Sequence, residues 1–197
     1  LTKVTIPSGV AIVLRDTTLQ SFYVSQLSIG RAASFQVINV TVTLPPTRIS
    51  LSDVVDGAVL IDGFRSAGSL DISLFQASGS WGSSLLLTRC VTIDTRINLY
   101  SLANTTFGLS ESTSGGFLVS IGSSIVRNTS LVVSGNTLTG LGISYTSFTY
   151  VASRDCQFLA SSLCIRDNVF QHPKLAVTLI PSGQVIASTV LFSNNSV

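Results

Sequence analysis

Polar and apolar residues alternate along short stretches of this chain, most clearly over residues 35–44, which read Phe-Gln-Val-Ile-Asn-Val-Thr-Val-Thr-Leu. A period of two is typical of β-strands that bury one face. Strands of similar length are expected at residues 48–53, 70–74 and 84–90. Helical periodicity is absent throughout, so the pattern predicts an all-β fold.

The second half of the chain contains an imperfect repeat. Residues 130–138, 162–170 and 189–197 each read polar, three apolar, polar, turn residue, Asn, any residue, apolar, and their starts lie 32 and 27 positions apart. A second strand-like series, at residues 116–121, 142–146 and 174–179, is spaced by 26 and 32 positions. A recurring strand order with variable loops predicts a right-handed parallel β-helix with irregular coils of about 25–32 residues.

In such a β-solenoid, alternate residues of the aligned strands stack inside the coil. The residues expected to point inward are Leu131, Val133, Leu163, Ile165, Val190 and Phe192. Those expected to face outward are Val132, Cys164 and Leu191. The repeated asparagines follow residues that tolerate a left-handed backbone, and they are expected to turn corners and to bond between coils; they are Asn136, Asn168 and Asn195.

Two other interpretations of the repeat remain open. Short apolar segments in a Ser-rich chain can align by chance, and tandem β-sandwich modules would also give alternating strands, with antiparallel pairing and no stacked ladder. Under the preferred interpretation, residues 1–197 form a single solenoid domain. Because the last motif ends at Val197, we expect the chain to be an excerpt of a longer repeat protein whose solenoid continues.

The composition excludes several classes of protein. The chain has 32 Ser and 20 Thr, 45% hydrophobic residues, only 10% charged residues and a net charge of +2. Its mean hydropathy of +0.54 is that of a chain that can bury a core, which argues against disorder, and the many hydroxyls argue against a helical bundle. The charges form no basic run and no membrane-spanning segment is expected, so neither nucleic-acid binding nor a span in this segment is predicted.

Solenoids include carbohydrate-cleaving enzymes, and the best constellation for such chemistry is Asp155, Arg166, Asp167 and His172, which neighbouring coils could bring together. Adjacent Arg and Asp residues on a strand point to opposite faces, however, so solvated turn charges are the favoured interpretation. The sequence lacks the Asp-Asp, Asn-Thr-Asp and Gly-His-Gly signatures of polygalacturonase-like enzymes. We therefore predict no enzyme, no metal site and no cofactor.

Two kinds of covalent modification are expected. The three cysteines lack metal-binding spacing, and one disulfide, between Cys156 and Cys164, is a candidate. Four N-glycosylation sequons begin at Asn39, Asn104, Asn128 and Asn194. Asn39 lies inside an expected strand, where a glycan would require an outward face.

Residues 131–138 and 163–170, Leu-Val-Val-Ser-Gly-Asn-Thr-Leu and Leu-Cys-Ile-Arg-Asp-Asn-Val-Phe, lie in a background poor in Glu and Lys. This part of the chain resembles the dispersed gene family of kinetoplastid surface proteins, mainly over residues 116–197. The resemblance implies a piece of a large, membrane-associated ectodomain with a parallel β-helix and an adhesive role, and it carries no catalytic residues.

Together these observations predict a non-enzymatic, extracellular or cell-surface segment that is structural or adhesive and binds a host or glycan surface. The aromatic residues expected to serve adhesion are Trp81, Tyr145 and Tyr150. A polysaccharide lyase or glycoside hydrolase of the parallel β-helix type is the alternative.

Overall fold

The computed structural model describes residues 1–74, 82–100, 102–121, 125–139, 148–152, 157–171 and 185–196. These residues form strands, turns and bends, and no helix occurs among them. In chain order the strands are β1 (Thr2–Ile6), β2 (Ala11–Leu19), β3 (Tyr23–Ile29), β4 (Ser34–Val42), β5 (Thr47–Val54), β6 (Ala58–Asp62), β7 (Arg65–Ser66), β8 (Ser69–Leu74), β9 (Ser84–Thr88), β10 (Val91–Leu99), β11 (Leu102–Ala103), β12 (Thr106–Ser110), β13 (Thr113–Ile121), β14 (Ile125–Arg127), β15 (Ser130–Ser134), β16 (Thr137–Leu138), β17 (Phe148–Ala152), β18 (Gln157–Leu159), β19 (Ser162–Arg166), β20 (Val169–Phe170), β21 (Val185–Ile186) and β22 (Thr189–Ser193).

Strands from successive coils pair in parallel and form long ladders. The first ladder runs β1-β3-β5-β8-β10-β13-β17. The second ladder runs β2-β4-β6-β9-β12-β15-β19-β22. Shorter ladders, among them β11-β14-β18-β21, close the coil between them. The predicted β-solenoid is therefore confirmed, and the antiparallel β-sandwich alternative is wrong because every described strand pair is parallel.

The predicted stacking of aliphatic side chains is confirmed. Leu131 pairs in register with Leu163, and Leu163 pairs with Val190. The inward residues of β15 and β19 are at most 2% exposed, whereas the predicted outward residues Val132 and Cys164 are half-buried. In β22, the last strand of the ladder, Val190 is 47% exposed because no described strand lies over it.

The coil turns at single residues that adopt the left-handed backbone conformation, with φ between 47° and 75°. One such residue precedes each strand of the second ladder and forms the entry corner: Gly9, Ala32, Asp56, Gly82, Asn104, Asn128, Ala160 and Ala187. A second left-handed residue comes directly after the first five residues of the strand and forms the exit corner. These residues are Asp16, Asn39, Gly63, Arg89, Glu111, Gly135, Asp167 and Asn194. For each described strand of the second ladder the exit corner lies seven positions after the entry corner, from Gly9 to Asp16 through Ala187 to Asn194.

The corners keep the hydrogen-bonded ladder continuous. The Ala32 N–H donates to Asp56 O at 2.9 Å, and the Arg89 N–H donates to Ser110 O at 3.1 Å, each reaching the next coil. A left-handed conformation costs a residue with a side chain roughly 1–2 kcal/mol. A buried or partly buried backbone group that loses its hydrogen-bond partner costs a similar amount, so these inter-coil hydrogen bonds offset the strain of the corners.

Inside the exit corner, each left-handed residue is followed by a residue that points into the coil. In the later coils this inward position is occupied by Asn136, Asn168 and Asn195, as the sequence predicted. The Asn136 backbone N–H donates to Asn168 Oδ1 at 3.0 Å, and the Asn168 N–H donates to Asn195 Oδ1 at 3.2 Å. Each side-chain amide also donates to a carbonyl of the preceding coil, as Asn168 Nδ2 does to Val133 O at 3.2 Å. The stacked asparagines therefore satisfy buried polar groups within the core.

Two details of the repeat differ from the sequence prediction. Several coils are shorter than the expected 25–32 residues, since the exit corners Asp16 and Asn39 lie 23 positions apart and Arg89 and Glu111 only 22. Phe117–Ile121 of β13 pairs with Phe148–Ala152, so the alignment of residues 116–121 with 142–146 was wrong. Residues 142–146 and 174–179 lie outside the described residues.

The asparagine stack yields a test of stability. Asn168→Ala removes the acceptor of the Asn136 N–H and Nδ2, leaving buried donors unsatisfied. We expect the free energy of unfolding, measured by urea titration, to fall by about 2 kcal/mol. Asn98→Ala, which removes an outward-facing asparagine of β10, is the matched control and should change it by less than about 0.5 kcal/mol. Equal losses in the two variants would contradict a structural role for the stack.

Candidate functional site

The four residues of the alternative enzyme site are only partly described. Asp155 and His172 lie outside the described residues. Arg166 ends β19 and Asp167 is the exit corner, with side chains 55% and 46% exposed. Arg166 Nε lies 3.8 Å from Asp167 Oδ2, because the left-handed corner brings together side chains that a straight strand would separate. The described half of this constellation is an exposed ion pair at a turn.

The described cysteines occupy different environments. Cys90 is an inward residue at the exit corner, and burial raises the pKa of its thiol to about 11. Cys164 is half-buried at the outward centre of β19. Cys156 and the adhesion candidates Trp81 and Tyr145 lie outside the described residues, as does the side chain of Tyr150. The disulfide between Cys156 and Cys164 stays a prediction.

All four sequon asparagines lie at corners, with φ of 50° for Asn39, 47° for Asn104, 47° for Asn128 and 50° for Asn194. Asparagine tolerates this conformation better than most residues, and the Ser or Thr two positions later lies on the strand or bridge that leaves the corner. The corner geometry thus gives these triplets a structural reason to occur. Asn39 is exposed at its corner, and its Nδ2 donates to Asp16 Oδ1 at 3.0 Å. Glycosylation of the four asparagines stays a prediction.

A polar concavity lies on the outward face of the first ladder. It encloses about 310 Å³ and is lined by Tyr23, Ser25, Arg48, Ser50, Asp71, Ser73, Arg96 and Asn98. We call it the ladder groove. Its side chains face outward because the residues alternating with them point into the core: Val24, Ile49, Leu51, Ile72, Leu74, Ile97 and Leu99.

Register places the groove residues in two rows. In the first row Tyr23 pairs with Arg48, Arg48 with Asp71, and Asp71 with Arg96. In the second row Ser50 pairs with Ser73, and Ser73 with Asn98. Since neighbouring strands lie about 4.8 Å apart, each row presents one polar group per coil at that spacing. A charged row therefore runs beside a row of neutral hydroxyl and amide groups.

The charged row alternates basic and acidic side chains. Two guanidinium groups flank the single carboxylate of Asp71, whose side chain is 21% exposed. Arg48 Nη2 lies 3.8 Å from Asp71 Oδ2, beyond hydrogen-bond distance, and the Arg48 side chain is 55% exposed. Because the contact is an ion pair without a hydrogen bond, the planar donor fork of Arg48 can still receive an anion from solvent.

A second concavity, of about 410 Å³, lies at the exit corners and is lined by Asn39, Thr41, Gly63, Arg65 and Arg89. Here Arg89 Nε donates to Asp62 Oδ1 at 2.8 Å and its Nη2 donates to Asp62 Oδ2. Thr88 Oγ1 donates to the same carboxylate at 2.6 Å. The Arg89 hydrogen bond is the main reason that the pKa of Asp62 lies below its ordinary value. Because the Arg89 guanidinium already donates its hydrogen bonds to the Asp62 carboxylate, the ladder groove is the better anion site.

The sequence contained a signal for the ladder groove that was not singled out. Residues 48–51, 71–74 and 96–99 read Arg-Ile-Ser-Leu, Asp-Ile-Ser-Leu and Arg-Ile-Asn-Leu. Each is a charged residue followed by an inward aliphatic, an outward polar residue and a second inward aliphatic. Aligning these tetrapeptides would have placed the charged residues in one row.

Comparison with protein-family models, with curated proteins and with solved structures found no match to this chain. Within the described parts of the chain, no helix is long and apolar enough to cross a membrane. No group of three or more potential metal-ligating side chains occurs among the described residues.

The Asp62–Arg89 pair predicts a pH dependence of stability. Because the folded-state pKa of Asp62 is lowered, its contribution is fully present above the unfolded-state value of about 3.9 and is lost as the pH falls through the folded-state pKa. Urea unfolding should therefore show Asp62→Asn to be less stable than the parent at pH 7, with the difference shrinking below about pH 4. A difference that stays constant down to pH 2 would contradict the ionised pairing.

Proposed function

We propose that this chain is a non-enzymatic, extracellular or cell-surface β-solenoid segment that acts as a rigid support and adheres to glycans through the ladder groove. The single observation that carries the proposal is the pair of in-register rows, Arg48-Asp71-Arg96 beside Ser50-Ser73-Asn98. A glycan presents many hydroxyl groups, and a row of Ser and Asn side chains offers both donors and acceptors to them.

The packing of the coil supports a rigid presentation of these groups. The inward side chains beneath the groove, such as Ile49, Ile72 and Ile97, are 0% exposed and lie in one row. Their outward neighbours are therefore fixed on a parallel sheet instead of on loops. A polar surface held in advance by its backbone loses less conformational entropy when it binds.

The resemblance of residues 116–197 to the dispersed gene family of kinetoplastid surface proteins supports the same proposal. It implies a membrane-associated parent with an adhesive ectodomain, in which this chain would be one length of solenoid. The ladder groove itself lies in the first half of the chain, outside residues 116–197.

A polysaccharide lyase or hydrolase is the second candidate, favoured by the exposed Arg166–Asp167 pair at an exit corner. Incubation with neutral and acidic polysaccharides, scored for new reducing ends or unsaturated products, separates the two functions. Turnover that is abolished in Asp167→Ala would replace the adhesive proposal by the enzymatic one.

Adhesion is tested by filling the groove. Ser73→Tyr places a ring at the centre of the neutral row, and Ser110→Tyr places the same ring on the outward face of β12 as the control. Both variants are applied to an array of neutral and acidic oligosaccharides. We expect the parent to bind at least one glycan, Ser73→Tyr to weaken that binding at least about tenfold, or 1.4 kcal/mol, and Ser110→Tyr to leave it unchanged. Absence of binding by the parent, or equal loss in both variants, would contradict the proposal.

A further inference from the structure

We infer that the ladder groove selects a saccharide ring with one unbroken apolar face, as a β-galactoside presents, and that Tyr23 makes this selection; the inference rests on the proposed glycan-binding function. Tyr23 begins β3 and stands at one end of the charged row, in register with Arg48. At 50% it is more exposed than any other described aromatic side chain. An aromatic ring thus lies at one end of a surface that is otherwise polar.

The neighbours of Tyr23 in the sequence hold its ring on the outward face. Phe22 and Val24 are 7% and 0% exposed, so the side chains on either side of Tyr23 point into the core. The Arg48 N–H donates to Phe22 O at 3.2 Å and ties this stretch to β5. A tyrosine side chain has only two torsions to fix when it binds, so a ring on a fixed backbone loses little conformational entropy.

A β-bulge lies directly beside this ring. Two residues of β3, Ser25 and Gln26, lie opposite the single residue Ser50 of β5, and the register shifts between Val24 and Leu27. Gln26 takes the left-handed conformation, with φ of 54°. Bulges redirect side chains and are frequent beside functional sites. Here the bulge adds Ser25 to the groove lining, so two serine hydroxyls and the Arg48 guanidinium surround the ring.

This arrangement suits one face and one edge of a sugar ring. In galactose the axial hydroxyl projects from one face of the ring, so the opposite face presents an unbroken patch of C–H groups. That patch can cover the Tyr23 ring and bury apolar area, while the hydroxyls at the edge of the sugar exchange hydrogen bonds with Ser25, Ser50 and Arg48. Glucose carries all its ring hydroxyls equatorially and lacks such a patch. The configuration of one hydroxyl should therefore decide the affinity.

The rest of the groove has room for a second ring. The lining crosses strands β3, β5, β8 and β10, which at a strand spacing of about 4.8 Å corresponds to about 14 Å along the solenoid. Asp71 can accept from hydroxyls of the second ring, and Ser73 and Asn98 offer both donors and acceptors. A volume of about 310 Å³ is at the small end of ligand sites, which fits a disaccharide.

The experiment compares lactose with cellobiose, two disaccharides that differ only in the configuration of one hydroxyl on the non-reducing ring. Each is titrated calorimetrically into the full chain. We expect lactose to bind at least about fivefold more tightly than cellobiose. Saturation-transfer NMR on the lactose complex should show the strongest transfer to the protons of the apolar galactose face.

Four variants assign the preference to Tyr23. Tyr23→Ala should abolish the preference for lactose, whereas Tyr23→Phe keeps the ring and should retain it. Ser50→Ala should weaken both sugars alike, because both use its hydroxyl. Val13→Ala trims an apolar side chain of β2 that is 47% exposed and should change neither affinity. A purely structural role for Tyr23 would lower both affinities without changing their ratio. Urea unfolding checks that each variant is folded.

The outcomes separate this inference from the function on which it rests. Equal or tighter binding of cellobiose, or an unchanged preference in Tyr23→Ala, would overturn the selection by Tyr23 while glycan binding stands. Absence of binding to both disaccharides would also overturn it, and the oligosaccharide array then decides whether the adhesive function falls as well.

Discussion

The whole structure depends on bending a parallel strand at one residue without breaking its hydrogen-bonded ladder. At each corner a left-handed residue redirects the chain, and at most corners its N–H donates to a carbonyl of the next coil, as Ala32 does to Asp56. If the bend instead required several residues, their backbone groups would be buried without partners or would need loops to carry them to water. The local strain of the corner is therefore the condition for a continuous core.

The constant distance between the two corners explains how a regular stack tolerates irregular coils. The corners lie seven positions apart in every coil, whereas the rest of a coil varies, so that 22 positions separate Arg89 from Glu111 but 32 separate Gly135 from Asp167. Added residues enter between the exit corner and the next entry corner and leave the second ladder unchanged. The first ladder stays in register over β5, β8 and β10, and this alignment turns isolated polar residues into the rows of the ladder groove.

Part of this organisation could be predicted from the sequence, and the rest could not, for physical reasons. The later coils could be aligned from the sequence because their stacked, hydrogen-bonded side chains repeat one residue type, at Asn136, Asn168 and Asn195. In the earlier coils the equivalent inward positions hold Phe64, whose side chain has no polar group, and Cys90 and Ser112, which continue the hydrogen-bonded stack with other residue types. Ala, Arg and Glu at left-handed corners carry no turn signal of their own. The groove was missed because single charged residues on strands look like ordinary solvated side chains until the register is known.

The central claim, that single left-handed residues turn the coil, is tested most directly by a matched pair of substitutions. Ala32 is a corner with φ of 51°, and Ala58 is an outward residue of strand β6. Glycine relieves the corner strain, so Ala32→Gly should raise the free energy of unfolding by up to about 1 kcal/mol, whereas Ala58→Gly should lower it by about 0.5–1 kcal/mol. Equal destabilisation by the two substitutions in urea titrations would contradict the account.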